Sequence, residues 1–405
     1  MIYWTLNIFL IGALLYIVLR TIEPGRTRFI FGTGFLLRAT GGLVSAWFFF
    51  VDFPVSDSSV YFDTANSLLN KHSIWSILSG NFDKENLIGQ PRVLFFVQLL
   101  SFFHFLSGGS FWIVALQFAL LSFLVSWHFV REVIKIFPTH RNIIEFSFLF
   151  IPSVIFWSSG ILKDAPAFWA LLVAVLIVLK IREGKKVTAY EWIFGVLSML
   201  TLFNIRHYLL IILLLFMGLI FALHFIRKVN GRFKWPIAIS VFALFVISSQ
   251  LIHPYLKIQR LPQTLYENNQ LIAEKTSEES QIGIVINDPT WHSVIKEIPA
   301  SLFAGLFRPA FFDNTPAIGI IHKAENLLLL TWTMLSILLL IRSKPEINWL
   351  TIAPALLCIF MLATLLALST PNLGTLVRYR NAIVPFSFLI AGILPFQYFA
   401  SQTKG

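Results

Sequence analysis

Charge is what this chain has least of: Asp, Glu, Lys and Arg make up 13% of its 405 residues. A soluble globular protein carries about 25%, so a soluble fold with a charged surface is excluded. Cysteine is nearly absent. Cys358 stands alone, which rules out an intrachain disulfide and leaves the redox compartment unencoded. The histidines show neither HxxxH nor HExxH spacing and have no cysteine cluster beside them, which argues against a zinc site. Without a Walker loop, GxGxxG or GxSxG, ATP-driven transport and serine hydrolysis lose support. There is no internal repeat, no coiled coil and no independent soluble domain, since neither of the two long segments between apolar runs, 52–110 and 253–322, has enough apolar content to fold alone.

Hydrophobic residues fill the space that charge leaves, at 57% with a mean hydropathy of +0.77. Apolar runs at 2–19, 29–50, 111–130, 142–160, 165–181, 190–205, 208–226, 235–252, 323–341, 349–368 and 380–398 predict an all-α polytopic membrane protein of about eleven transmembrane helices. Basic residues then set the orientation. Arg20/Arg26/Arg28, Arg131/Lys135/Arg141, Lys180/Arg182/Lys185/Lys186, Arg227/Lys228/Arg232/Lys234 and Arg342/Lys344 recur at every second boundary, which puts the N-terminus outside and the C-terminus inside. A full span at 91–106 would break this alternation, so that run is read as an interfacial helix. The first run lacks a basic n-region and a small-x-small cleavage site and is read as a retained anchor. The formal net charge of +11 is in part this topological signal. The remainder suits anionic lipid or a phosphate-bearing ligand, with no nucleic acid implied.

Within a single transmembrane domain over 1–405, two long extracytoplasmic loops interrupt the spans, at 52–110 and 253–322. All the aspartates (Asp52, Asp57, Asp63, Asp83, Asp164, Asp288, Asp313) fall on that outer side. In the first loop Ser56-Asp57-Ser58-Ser59 has the residues of a helix start, and Val60–Leu69 continues at helical spacing. The second loop holds a polar stretch, 267–281, that reads as a mobile flap too polar to build a core. An amphipathic run around 291–312, containing Arg308-Pro309, returns to the membrane surface.

Cations in short outer turns run against the positive-inside bias and call for a reason. Lys163 beside Asp164, Arg206-His207 and Arg378-Tyr379-Arg380 are such cases. Arg grips phosphate oxygens bidentately and Lys supplies a compact charge, so these clusters suit a lipid phosphate or pyrophosphate at the interface. Snorkelling or pairing with a carboxylate is the alternative for each. Asp57 is the leading catalytic candidate, because a helix N-terminus favours the carboxylate anion needed to take a proton from a sugar hydroxyl. It could equally be a helix-cap carboxylate, and Asp52 and Asp63 compete with it. Asp164 is the second catalytic candidate, set in a very short turn after Pro152–Leu162, with a structural hairpin cap as the other reading. Arg38, predicted inside a span beside Gly41-Gly42, marks either a broken helix or a misplaced boundary. Glu325-Asn326 either supports an arginine of the site or caps a helix. A divalent metal held by Asp57 and other carboxylates with a diphosphate stays open as the one cofactor.

These segments resemble the GT-C superfamily of integral membrane glycosyltransferases, in particular its family 39-like members that use polyprenyl-phosphate sugars in bacterial surface polysaccharide synthesis. The run from Ser56 to Ala65 is similar to the first acidic outer loop of that family. Gln90–Phe96 through Gly108–Phe111 looks like its juxtamembrane helix and second core span, Ser159–Pro166 like its second acidic turn, and Val377–Pro385 like its C-terminal arginine segment. The resemblance implies a GT-C-like fold, Asp57 as general base, and Arg206, Arg378 and Arg380 as donor-phosphate contacts. Tyr61, Arg92, Lys163, His207 and Arg308 complete the expected substrate-binding set. The partners expected are a polyprenyl-phosphate-linked sugar, a glycan or lipid acceptor and membrane lipid. The chain departs from the family in an extra span before the first, in lacking a large C-terminal soluble domain, and in lacking a paired Asp-Glu in the loop motif. A Wzy-like polymerase, with Arg260, His292 and Arg308 as its functional residues, and a non-enzymatic lipid-linked glycan transporter are the alternatives.

Overall fold

The computed structural model describes residues 2–53, 56–82, 91–228, 257–315, 319–343 and 349–402, with six isolated positions between 228 and 257. Among these residues every regular element is a helix. That is the outcome expected where hydrocarbon offers the backbone no partner and each span must satisfy its own N–H and C=O groups. Six of the described helices are long and apolar enough to cross a membrane, or eight if each of two bent pairs is one span. The run expected to span at 235–252 lies largely outside the described residues.

The chain divides into two compact units. The first comprises Met1–Glu132, Phe148–Ala174 and Ala189–Arg206, the second Val133–Ser147, Val175–Thr188 and His207–Gly405.

The first unit contains α1 (Ile2–Arg20), α2 (Arg26–Trp47), α3 (Asp57–Lys71), α4 (Ile74–Ser79), α5 (Pro91–Ser107) and most of α6 (Phe111–Ile136). The end of α7 (Arg141–Leu149), α8 (Pro152–Ser159), the first half of α9 (Asp164–Arg182) and α10 (Ala189–Ile205) complete it. Small residues let α2 approach its neighbours. A Cβ at Gly42 would lie 2.8 Å from that of Ala119 and 3.2 Å from the Ser159 carbonyl oxygen, and one at Gly41 would overlap Ile155. Small-residue seams of this kind bring membrane helices together where lipid removes the hydrophobic incentive to associate. At α1, Asn7 donates to the Leu106 carbonyl at 3.0 Å and accepts from Gln117 at 2.7 Å. The segment expected as one span at 142–160 is broken, its arms at Pro138–Leu149 and Pro152–Ser159 meeting at 53°. Pro152 has no N–H to continue the helix.

The second unit is built from α11 (His207–Lys228), α12 (Leu261–Glu274), α13 (Trp291–Phe307), α14 (Gly319–Ser343), α15 (Trp349–Ser369), α16 (Leu373–Tyr379) and α17 (Val384–Gln402). Here α13 packs on α15, and α14 on α17. The polar stretch read as a flap carries a helix and fixed contacts instead. Asn269, fully buried, donates to the carbonyls of Leu368 at 2.8 Å and Ile284 at 3.1 Å. Gln281 bridges to Asn372, and the Ile282 N–H donates to the Pro371 carbonyl at 3.0 Å. The expected span at 380–398 also contains a break, with Leu373–Ala382 and Val384–Tyr398 bent by 69°.

Candidate functional site

In the first unit three segments far apart in sequence converge. The first turn of α3 is capped reciprocally: Ser56 Oγ accepts from the Ser59 N–H at 3.3 Å, and Ser59 Oγ accepts from the Ser56 N–H at 3.1 Å. Asp57 is thereby fixed as the first residue of the helix, and it is exposed. Its carboxylate lies in the favourable field of the helix N-terminus. Ser58, buried on the other side of that turn, donates to the Ile161 carbonyl at 2.9 Å. This ties α3 to the turn between α8 and α9.

That turn carries Lys163, whose Nζ sits 4.9 Å from the centroid of the Tyr61 ring. A lysine over an aromatic face keeps its charge while losing part of its hydration. Tyr61 is one turn beyond Asp57, so the two positions are neighbours on α3. Asp164 opens α9, and its carboxylate pairs with Arg206 Nη2 at 2.5 Å, the two side chains being 7% and 11% exposed. Arg206 follows the last turn of α10, its backbone N–H bonding the Leu202 carbonyl at 2.9 Å. Asp57, Tyr61, Lys163, Asp164 and Arg206 thus belong to one constellation: an exposed carboxylate at a helix start, an ammonium on an aromatic face and a shielded ion pair.

The remaining predicted residues fall elsewhere. His207 begins α11, in the second unit, with its ring 6.3 Å from that of Tyr208. Arg92 lies in the first turn of α5, and its side chain is outside the described residues. In the second unit Arg308 is engaged with Asp313, through Nε–H to Oδ2 at 3.0 Å and through Nη2, and it also bonds the Ile282 carbonyl. Burial alone would raise the Asp313 pKa. Hydrogen bonds from Arg308 and the Ala310 N–H, with the charges of Arg308 and Lys323, more than offset this and hold it below the usual carboxylate value. Arg378 is half-buried beside the Tyr379 ring.

Arg380 is 2% exposed. It donates to the Leu306 carbonyl at 3.1 Å and to Asn326 Oδ1 at 2.6 Å, and Asn326 in turn donates to the Pro309 carbonyl at 2.8 Å. Asn326 thus bonds an arginine, which is the contact that one of the two sequence readings of Glu325-Asn326 requires, and the Arg380 guanidinium bonds protein groups. Ser58 was missed as a positioning group. Its signal was the unbroken polar quartet Ser56-Asp57-Ser58-Ser59, of which Ser56 and Ser59 make the cap and leave Ser58 for another partner. Among the described residues no three His, Cys, Asp or Glu side chains stand together as a ligand set.

Comparison of the chain with protein-family models, curated proteins and solved structures returns no match.

Proposed function

We propose that the protein is a membrane glycosyltransferase that moves a sugar from a polyprenyl-phosphate donor to a glycan or lipid acceptor. The observation that carries this reading is the grouping of Asp57, Tyr61, Lys163, Asp164 and Arg206 in the first unit. In the proposed reaction the acceptor hydroxyl oxygen attacks the anomeric carbon and Asp57 takes its proton. The bond from that carbon to the phosphate oxygen breaks with inversion, and the polyprenyl phosphate leaves. Lys163 meets the charge that develops on the leaving phosphate, and Asp164 holds Arg206 in place. Donor binding by Arg308, Arg378 and Arg380 is a proposal carried by the sequence reading alone.

The same reading sets about eleven spans in a bacterial cytoplasmic membrane, with the N-terminus outside, the C-terminus inside and the site on the extracytoplasmic face. The protein would serve polysaccharide assembly in the cell envelope. The test is transfer of labelled sugar by the purified, reconstituted protein offered a pool of polyprenyl-phosphate sugars. Transfer that yields a new glycosidic bond supports the proposal. Transfer from diphosphate-linked glycans alone points to a polymerase, and binding without a new bond points to a transporter.

A further inference from the structure

Arg38 lies in the middle of α2, is fully buried, and takes no part in the constellation above. Two sequence readings are corrected: α2 is not broken at Arg38 but continuous from Arg26 to Trp47, and Arg38 is not at a misplaced boundary but interior. Its guanidinium bonds only neutral oxygens, Ser122 Oγ at 2.7 Å, Ser158 Oγ and the Phe148 carbonyl at 2.7 Å. Nε has no partner. A buried charge without a carboxylate is costly, and ionisable groups at membrane depth are kept for function.

The Phe148 contact gives the reason. In an unbroken helix this carbonyl would accept from the N–H of the residue four positions on. That residue is Pro152, which has none, and the helix breaks there. Pro152 cannot make that helical bond, and Arg38 Nη2 donates to the same carbonyl at 2.7 Å. Arg38 Nη1 meanwhile holds Ser158, whose hydroxyl also donates to the Val154 carbonyl at 2.5 Å, in the last turn of α8. One side chain therefore bonds a residue on each side of the break. Beyond α8 come Gly160, whose approach to Ser45 leaves no room for a Cβ, then Ile161, the acceptor of Ser58, then Lys163 and Asp164.

We infer that Arg38 is a positioning residue: by bonding both arms of the break before Pro152, it fixes the 160–164 turn against the first turn of α3. The catalytic half of this inference rests on the proposed transfer, and the geometric half does not. The test compares wild type, Arg38→Lys and Ser158→Ala as full chains in nanodiscs, by hydrogen–deuterium exchange and by transfer kinetics. Lysine keeps the charge but offers a single point of donors, and Ser158→Ala releases one arm while Arg38 stays. Both variants should exchange faster at 56–66 and 158–166 with α15 unchanged, and kcat should fall toward the ~10²-fold loss that a displacement of about 1 Å can cause, with KM steady. Unchanged exchange in both windows in either folded variant overturns the inference. If the wild type transfers nothing, the transferase reading fails while the exchange result still decides the role of Arg38.

Discussion

The Asp164–Arg206 pair has little water around it, so each ion has given up hydration that the other only partly restores. Removing one partner takes a charge-assisted bond from the other, buried ion. Arg206→Ala is expected to destabilise the protein by about 3–5 kcal/mol, read by thermal unfolding in detergent. Replacing both residues by apolar ones of similar size, Asp164→Leu with Arg206→Met, should recover most of that stability while transfer stays lost. Recovery of transfer in the double variant would remove the pair from the site.

Asp313 gives a pH prediction. Its folded pKa lies below its ordinary value of 3.8, so its contact with Arg308 contributes full stability above that value and loses it as pH falls through the folded pKa. Unfolding measured against pH should therefore show a steeper acid loss in wild type than in Asp313→Asn. Parallel curves would mean that the contact adds nothing. At this scale the sequence disclosed Asp57, Lys163, Asp164 and Arg206 through their chemistry. It marked Arg38 as a cation inside a span but not what Arg38 bonds, because the partners lie 84 to 120 positions away and are neutral.

Helix contacts in this chain depend on where glycine permits backbone approach. A Cβ at Gly305 in α13 would run into the Ala363 carbonyl oxygen of α15, whereas one at Gly12 in α1 would meet nothing within 4 Å. Gly305→Ala should therefore cost about 1–3 kcal/mol through overpacking. Gly12→Ala should be neutral or stabilising by up to about 1 kcal/mol, since alanine lowers the entropy cost of helix. Equal melting of the two variants would refute the packing assigned to α13 and α15. Helix starts were legible because Ser56 has its cap partner three residues on. The breaks were not, because the apolar runs continue across Pro152 and across Ile383, and an average over hydropathy hides a change of direction. The second long loop misled for a related reason. Its Asn and Gln side chains, a sign of solvation in sequence, bond backbone carbonyls inside the fold.

For the molecule as a whole, composition was enough to establish a helical, membrane-embedded protein, since nothing but span-length helices accommodates so much apolar sequence with so little charge. The division into two units was not legible, because each is assembled from three stretches of chain, and three of the five junctions fall inside helices. The constellation in the first unit draws on three of those stretches, which is why its residues looked like separate signals in sequence. The central claim is that Asp57 is the base of a sugar transfer. Its most direct test is the rate of transfer from polyprenyl-phosphate sugar by wild type and Asp57→Asn at matched expression and matched folding. The account predicts a loss of about 10²–10⁴-fold in the variant, the range for removal of a general base. Equal rates would contradict it.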